Sequence, residues 1–403
     1  MAVKAGYKQT EVGVIPEDWD VSQFGDNFSV IAGIGFSKSE YTNYGIRLIR
    51  IDNVSYGEIQ WDSLAYLPNE YKDTYSKALL KEGDILLALN RPITNNQLKI
   101  AILKREDTPA ILYQRVGRIQ ILSSNIKILF AYYSFLVYIR KFVEESSVGT
   151  DQPFISTVKL KKVRLPIPPT KTEQTAIANA LSDADTWIQS LTRLIAKKRQ
   201  IKQGAMQSLL NPYEDGVLKG GWEVKRLVDI APLQRGFDLP SSQLERGEYP
   251  VVYSNGVLNF HNQKQVAGPG VITGRSGTLG SIHFVTSDYW PHNTTLWATS
   301  FNGNVPKFVF YLFKSIGFSR FATGSGVPTL NRNDAHGFSV GIPQNADEQT
   351  RIATILSDMD KEISDLEAKL EKAKALKQGM MQNLLTGKIR LVKPAQEAPH
   401  ANP

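Results

Sequence analysis

The sequence predicts an α+β chain in which two β-rich globular domains alternate with two long coiled-coil helices, the second half repeating the first. Three observations carry that prediction. Ile167–Leu210 recurs as Ile342–Leu385 without a gap, at a constant shift of about 175 positions; a repeat at so long a period describes a whole architecture. Both copies place apolar residues at alternating steps of four and three. The chain outside them is made of short β-favouring runs bounded by Gly, Asn and Asp.

Each long helix follows a proline-bearing strand end, Leu165-Pro166-Ile167-Pro168 or Gly341-Ile342-Pro343, where a helix can start afresh. Thr170 or Thr172 suits the first N-cap, and Asn345 or Asp347 the second. The apolar seam runs Ile177, Leu181, Ala184, Ile188, Leu191, Ile195 in one copy. In the other it runs Ile352, Leu356, Met359, Ile363, Leu366, Leu370, Ala373. Sustained over several heptads, this is a coiled-coil seam, so the two helices are expected to pack on each other. About 36 residues at 1.5 Å each make a rod of roughly 54 Å. Lys202 and Lys377 fall at seam positions, and simple packing does not account for them.

Composition bounds the rest. A chain of 403 residues is long enough for two or three domains with cores of their own. It has no cysteine, which excludes disulfides, thiolate metal sites and cysteine nucleophiles. The start, MAVKAGYKQTEVG, lacks the apolar core of a signal peptide. The most apolar run, Ile128–Ile139, is too short and too tyrosine-rich to span a bilayer. The expectation is a soluble, cytoplasmic protein without membrane contact. A net charge of +8, spread along the chain, is compatible with a polyanionic partner without demanding one.

In chain order, residues 1–166 form the first globular domain and 167–211 the first helix. Residues 212–341 form the second domain and 342–387 the second helix, leaving 388–403 as a flexible tail. Ile46–Asn53, Asp84–Leu89, Ile100–Leu103 and Val116–Ile121 read as strands, and Phe130–Phe142 as a buried aromatic helix. The second domain repeats the plan, with Trp222 matching Trp19 and Pro306–Phe318 matching the aromatic helix. The larger shift at the tryptophans gives the first domain about 28 extra residues.

Catalytic motifs are missing. There is no phosphate loop, and Gly33-Ile34-Gly35 is only a fragment of a dinucleotide fingerprint. Asn211-Pro212-Tyr213 lacks a proline of the amino-methyltransferase element and serves better as a helix breaker. Gly274-Arg275-Ser276-Gly277-Thr278 is not a nucleophile elbow. The five histidines lack metal-ligand spacing.

What remains suits a reader of nucleic acid. Polar side chains that contact base edges and phosphates cluster at predicted strand ends, beside glycines that permit close approach. In the first domain these are Gly35, Phe36, Ser37, Lys38, then Asn90, Arg91, Asn95, Asn96, then Gln114, Arg115, and finally Thr150, Asp151, Gln152. In the second they are Gln234, Arg235, then Tyr253, Ser254, Asn255, then Arg275, Ser276, Thr278, then His292, Asn293, Thr294, and finally Ser325, Thr329, Asn331, Arg332. Against this, polar Gly, Asn and Ser clusters in β-rich domains are usually turns and nothing more.

The repeated helices, Glu173-Gln174-Thr175 to Leu209-Leu210 and Glu348-Gln349-Thr350 to Leu384-Leu385, resemble the conserved regions of type I restriction-modification specificity subunits. The entry Val14-Ile15-Pro16-Glu17-Asp18-Trp19 is similar to that family's start. Gly45–Asn53 with Glu82–Leu86, and Pro269–Gly280 with Asn293–Trp297, are similar to its target-recognition domains. The resemblance covers nearly the whole chain. It implies two recognition domains separated by an antiparallel helix pair, each domain reading half of a bipartite asymmetric target in double-stranded DNA. It implies that the helices set the gap and dock two modification and two restriction subunits. The chain itself would be non-catalytic and bind no cofactor or metal, with adenosylmethionine, ATP and Mg in the partners. The alternatives are a self-contained DNA methyltransferase or nuclease, and a coiled-coil scaffold without DNA specificity.

Overall fold

The computed structural model describes residues 4–146, 154–323 and 328–392. Four helices frame it: α1 (Ile128–Ser146), α2 (Lys171–Leu209), α3 (Pro306–Ile316) and α4 (Ala346–Leu384). The chain divides into two compact units within α2 and α4, unit 1 comprising residues 1–189 and 371–403 and unit 2 residues 190–370. Each unit therefore contains one globular part and a stretch of both long helices.

In unit 1 a sheet runs in the order Phe28–Ala32, Val116–Ile121, Ile85–Ala88, Ile100–Ile102, Tyr56–Gly57. Unit 2 has the same order in four strands: Leu233–Arg235, Thr295–Ala298, Gly270–Gly274, Ile282–Val285. The neighbouring pairs among these first four strands are antiparallel in both units. A second sheet in each unit contains one parallel pair, Ile46–Ile49 with Ala110–Leu112 and Arg246–Tyr253 with Trp290–Pro291. The repeat visible in the helices thus extends into the β-structure. Most of the extra length of the first domain lies between Ile49 and Ile85, which holds three two-residue strands and two short helical turns.

The aromatic helices sit at the heart of each core. In unit 1, Trp19, Phe24, Phe130 and Phe135 are buried together with Ile177, Ala178 and Leu181 of α2 and Leu384 of α4. In unit 2, Trp222, Leu227, Phe308 and Phe313 are buried with Ile352, Ala353 and Leu356 of α4. Each buried Leu, Ile or Phe among them contributes about 1.5–3 kcal/mol of apolar burial. The first two seam positions of each long helix therefore serve a globular core. The stripe widens there to adjacent positions, Ile177-Ala178 and Ile352-Ala353, as a helix on a broad surface requires. Further along, Leu191, Ile195 and Ile363 are buried while Ile188, Met359, Leu366 and Leu370 are half-buried, the narrower seam of a two-helix contact.

Thr170 and Asn345 are the capping residues: the Thr170 hydroxyl accepts from the Glu173 N–H (3.2 Å) and the Asn345 side chain from the Asp347 N–H (2.8 Å). Within unit 2, Arg199 pairs with Glu367 and Lys202 with Asp360, so α2 and α4 run antiparallel. Within unit 1, Lys377 of α4 pairs with Asp185 of α2.

The glutamine of each repeated Glu-Gln-Thr ties the helix start to the globular part. Gln174 accepts from the Lys127 N–H (2.9 Å) and donates to the carbonyls of Asn125 and Pro168. Gln349 accepts from the Val305 N–H (2.8 Å) and donates to the Asn304 side chain and the Pro343 carbonyl. The segment assigned to a flexible tail from residue 388 is tied down at its start. Arg390 donates to both carboxylate oxygens of Glu173 and also to Asp18.

Candidate nucleic-acid interface

In both units four separate segments meet at one end of the main sheet. In unit 1, the turn after Phe28–Ala32 bonds to the strand opposite it: Gly33 N–H to the Val116 carbonyl, Ile34 N–H to Leu112, and Gln114 N–H to Ile34. The loop after Ile85–Ala88 joins through Leu89 N–H to the Arg115 carbonyl, and the Ile155 N–H closes onto the Leu89 carbonyl. Unit 2 repeats these links: Gly236 N–H to Thr295, Phe237 N–H to Pro291, Arg275 N–H to Thr294, and Leu330 N–H to Arg275. The bridges Ile34–Tyr113 and Phe237–His292 occupy the same place in each unit.

Close backbone approach explains the leading glycines. A Cβ on Gly33 would lie 2.3 Å from the Tyr113 carbonyl oxygen, and one on Gly236 2.2 Å from that of His292. Neither contact can be relieved by rotating a side chain. At this end of unit 1, Arg91 and Arg115 stand at φ +45° and +71°. A non-glycine residue holds such angles only where its surroundings over-determine them, which is common at functional loops. Both arginines are exposed and make no ion pair among the described residues. Asn95 and Asn96, at φ +50° and +58°, form the tip of the hairpin between Ile93–Thr94 and Gln97–Leu98. Asn96 accepts from Arg140 (3.0 Å).

Other predicted contacts have structural work. Phe36 is 6 % exposed and packs on the rings of Tyr71, Tyr75 and Tyr113, so it builds the loop and does not reach out of it. Ser37 pairs with Glu40 through its backbone N–H (2.7 Å) and its hydroxyl (3.0 Å), closing a helical turn. Gly35, Lys38, Gln114 and Arg115 remain exposed beside it. Thr150, Asp151, Gln152 and Ser325 lie outside the described residues.

In unit 2, Arg235, Arg275, Thr329, Asn331 and Arg332 line an open groove of about 480 Å³, with Thr323, Leu330 and Asn333. Arg275 is half-buried and makes no ion pair among the described residues. A guanidinium without an ion-pair partner can donate to two acceptors on a base edge. Arg235 is engaged by Asp238 (2.8 Å), which also accepts from Asn293. Asn331 caps a short helix, accepting from the Asn333 N–H (3.0 Å). Tyr253 lies against the His292 ring at 4.3 Å. Burial holds the His292 pKa below its ordinary value, with Arg235 acting in the same sense and Asp238 against it. Ser254 is 7 % exposed, its carbonyl accepting from His283 and Ser281, and is part of the scaffold. Gln234, Asn255 and Thr278 are exposed; Ser276 and Thr294 are half-buried.

The seam lysines stand out in the sequence, but their partners do not. The Tyr133 hydroxyl donates to Asp185 (2.8 Å), whose other oxygen meets Lys377 at 2.5 Å. Tyr311 donates to Asp360 (2.8 Å), whose other oxygen meets Lys202. The signal was present in the repeated Leu-Ser-Asp-x-Asp and Lys-Gln-Gly motifs. Its third member was hidden, because the tyrosines repeat at a slightly different shift. Among the described residues no group of His, Asp and Glu could hold a metal ion, and no helix is long and apolar enough to cross a membrane.

A family model described as the type I restriction modification DNA specificity domain matches residues 16–203 and again 219–375. This chain belongs to that family. The specificity-domain family accounts for the doubled architecture, since each match covers one globular part and most of the long helix that follows. Among family relatives, the type I restriction enzyme MjaVIII specificity subunit of Methanocaldococcus jannaschii is 39% identical over 214 residues, covering 53% of this chain and 49% of that one. The EcoAI specificity subunit of Escherichia coli is 30% identical over 185 residues, 45% of this chain and 30% of that one. These alignments span half or less of either relative. The fold is similar to that of the crystallised type I restriction-modification S subunit from M. genitalium, at a TM-score of 0.63, 18% identity, and 95% and 98% coverage of the two chains.

Proposed function

We propose that this chain is the DNA-reading subunit of a type I restriction-modification complex. Each globular part reads one half of a bipartite, asymmetric double-stranded target, and the long helices set the gap between the halves. The observation that carries this is the convergence, in both units of a chain matched twice by the specificity-domain family, of the same four segments at one sheet end, the first of them led by a glycine packed against the backbone opposite. The segments correspond in backbone but differ in side chains: Tyr113-Gln114-Arg115 in one stands where His292-Asn293-Thr294 stands in the other. A common scaffold with different side chains suits two half-sites of different sequence.

Each helix of 39 residues is about 58 Å long at 1.5 Å per residue. At about 3.4 Å per base pair that is on the order of 17 pairs, enough for more than one turn of duplex. The helices also offer docking faces for two modification subunits, with two restriction subunits completing the complex. Adenosylmethionine, ATP and Mg belong to those partners, which carry out adenine methylation and ATP-driven cleavage; this chain catalyses neither and works in the cytoplasm.

Gel shifts of the purified chain, alone and with its modification subunits, test the reading. Specific binding is expected to weaken steeply with salt, with a log–log slope near −0.9 per phosphate neutralised. Labelled adenosylmethionine should modify DNA only when the modification subunit is present. Methyl transfer by the chain alone would refute the division of labour.

A further inference from the structure

The seam lysines gain their explanation from the globular parts. In a two-helix seam, a polar residue in place of an apolar one lowers stability and fixes register. Lys202 and Lys377 take such positions with side chains only 16% and 19% exposed. Each meets an aspartate of the opposite long helix, and each aspartate also accepts from the tyrosine of that unit's aromatic helix. The ammonium groups lie 5.8 Å and 5.6 Å from the Tyr311 and Tyr133 ring centres, within cation–π range. One carboxylate therefore ties three segments together: α2, α4 and either α1 or α3. The same arrangement stands in both units.

The geometry points to Tyr133–Asp185–Lys377 and Tyr311–Asp360–Lys202 as positioning residues that fix the setting of each DNA reader on the long helices, and through it the gap the complex accepts. This rests on the reading of the chain as a bipartite DNA reader. Apolar contacts such as Leu181 and Leu356 hold the elements together but tolerate small slides. A carboxylate with one oxygen on a lysine and the other on a phenol is directional and weakens with displacement, so it narrows the registers and rotations the three segments can share. Burial alone would raise the Asp360 pKa, yet hydrogen bonds from Lys202 and Tyr311 bring it below the ordinary value. The carboxylate is therefore charged, and the clamp closed, at neutral pH.

The test uses the full chain assembled with its modification subunits, and duplexes carrying the two half-sites at the native gap or at one base pair more or fewer. The wild type is expected to methylate the native gap selectively. Y133F/Y311F keeps both rings and removes only the hydroxyls, and D185N/D360N serves as a second variant should the first lose solubility. Each is expected to lower discrimination against the altered gaps about tenfold while base preference within each half-site stays unchanged. K202R/K377R, which keeps the charge, should retain most of the discrimination. Unchanged discrimination in an assembled variant, or an equal loss of activity at every gap, would overturn the inference. A wild-type complex with no gap preference would instead remove the spacer reading on which it rests.

Discussion

Arg390 grips Glu173 with two parallel hydrogen bonds, Nε to Oε1 at 2.7 Å and Nη2 to Oε2 at 2.6 Å, although 217 positions separate them. Glu173 is 1% exposed, so the arginine neutralises a carboxylate that water scarcely reaches. Removing one partner of a buried pair leaves an uncompensated charge costing about 3–5 kcal/mol. Arg390→Ala should therefore destabilise unit 1 by about 3 kcal/mol. Hydrogen exchange in α1 would report it, with α3 as the control. Protection in α1 equal to wild type would show that the pair contributes nothing.

Gln349→Ala removes one acceptor and two donor contacts at the start of α4 and leaves the Val305 N–H without its partner. An unsatisfied buried group costs about 1–3 kcal/mol. A loss in that range is expected in unit 2, and Gln174→Ala should produce a matching loss in unit 1. Thermal melting of the two single variants checks the correspondence.

Arg275→Ala should relax specificity at one base pair and weaken binding by about 1–3 kcal/mol, the value of a bidentate base contact. Methylome sequencing would show one degenerate position. Phe36→Leu should instead lower the stability of unit 1 and leave the target unchanged, because the ring supports the loop from within.

Acid should weaken unit 2. Burial, reinforced by Arg332, lowers the His336 pKa below its ordinary imidazole value, and the ring accepts from the Leu233 N–H at 2.8 Å, which requires the neutral form. His292 is shifted in the same direction, mainly by burial. With folded values below the unfolded one, the folded state holds fewer protons. Their contribution is complete above about pH 6.5 and is lost as pH falls through the window beneath it. Melting at pH 5.5 should occur at lower temperature than at pH 7.5, and His336→Gln should narrow the difference.

The architecture was legible because it is written in periodicity. Val116–Ile121 has the bounds its β-branched residues suggested, and the aromatic helices fall at α1 and α3. Strands such as Ile46–Ile49 ended earlier than expected because a turn at Arg50–Asn53, closed by the Asn53 side chain, takes over. The candidate interface was legible only as a set of loops. Which of their residues face outward depends on packing: Phe36 and Lys38 are two positions apart, yet one is core and the other exposed. The Tyr311–Asp360 bond joins residues 49 positions apart, and Lys202 reaches the same carboxylate from 158 positions away. No local pattern announces such a meeting.

The central claim is that one chain carries two separate readers of DNA held at a set spacing. Methylome sequencing of cells that express the chain with its modification subunits tests this most directly. The account predicts a motif of two different specified halves interrupted by a fixed number of unspecified bases. A contiguous motif, or a methylation pattern that persists when this chain is deleted, would contradict it.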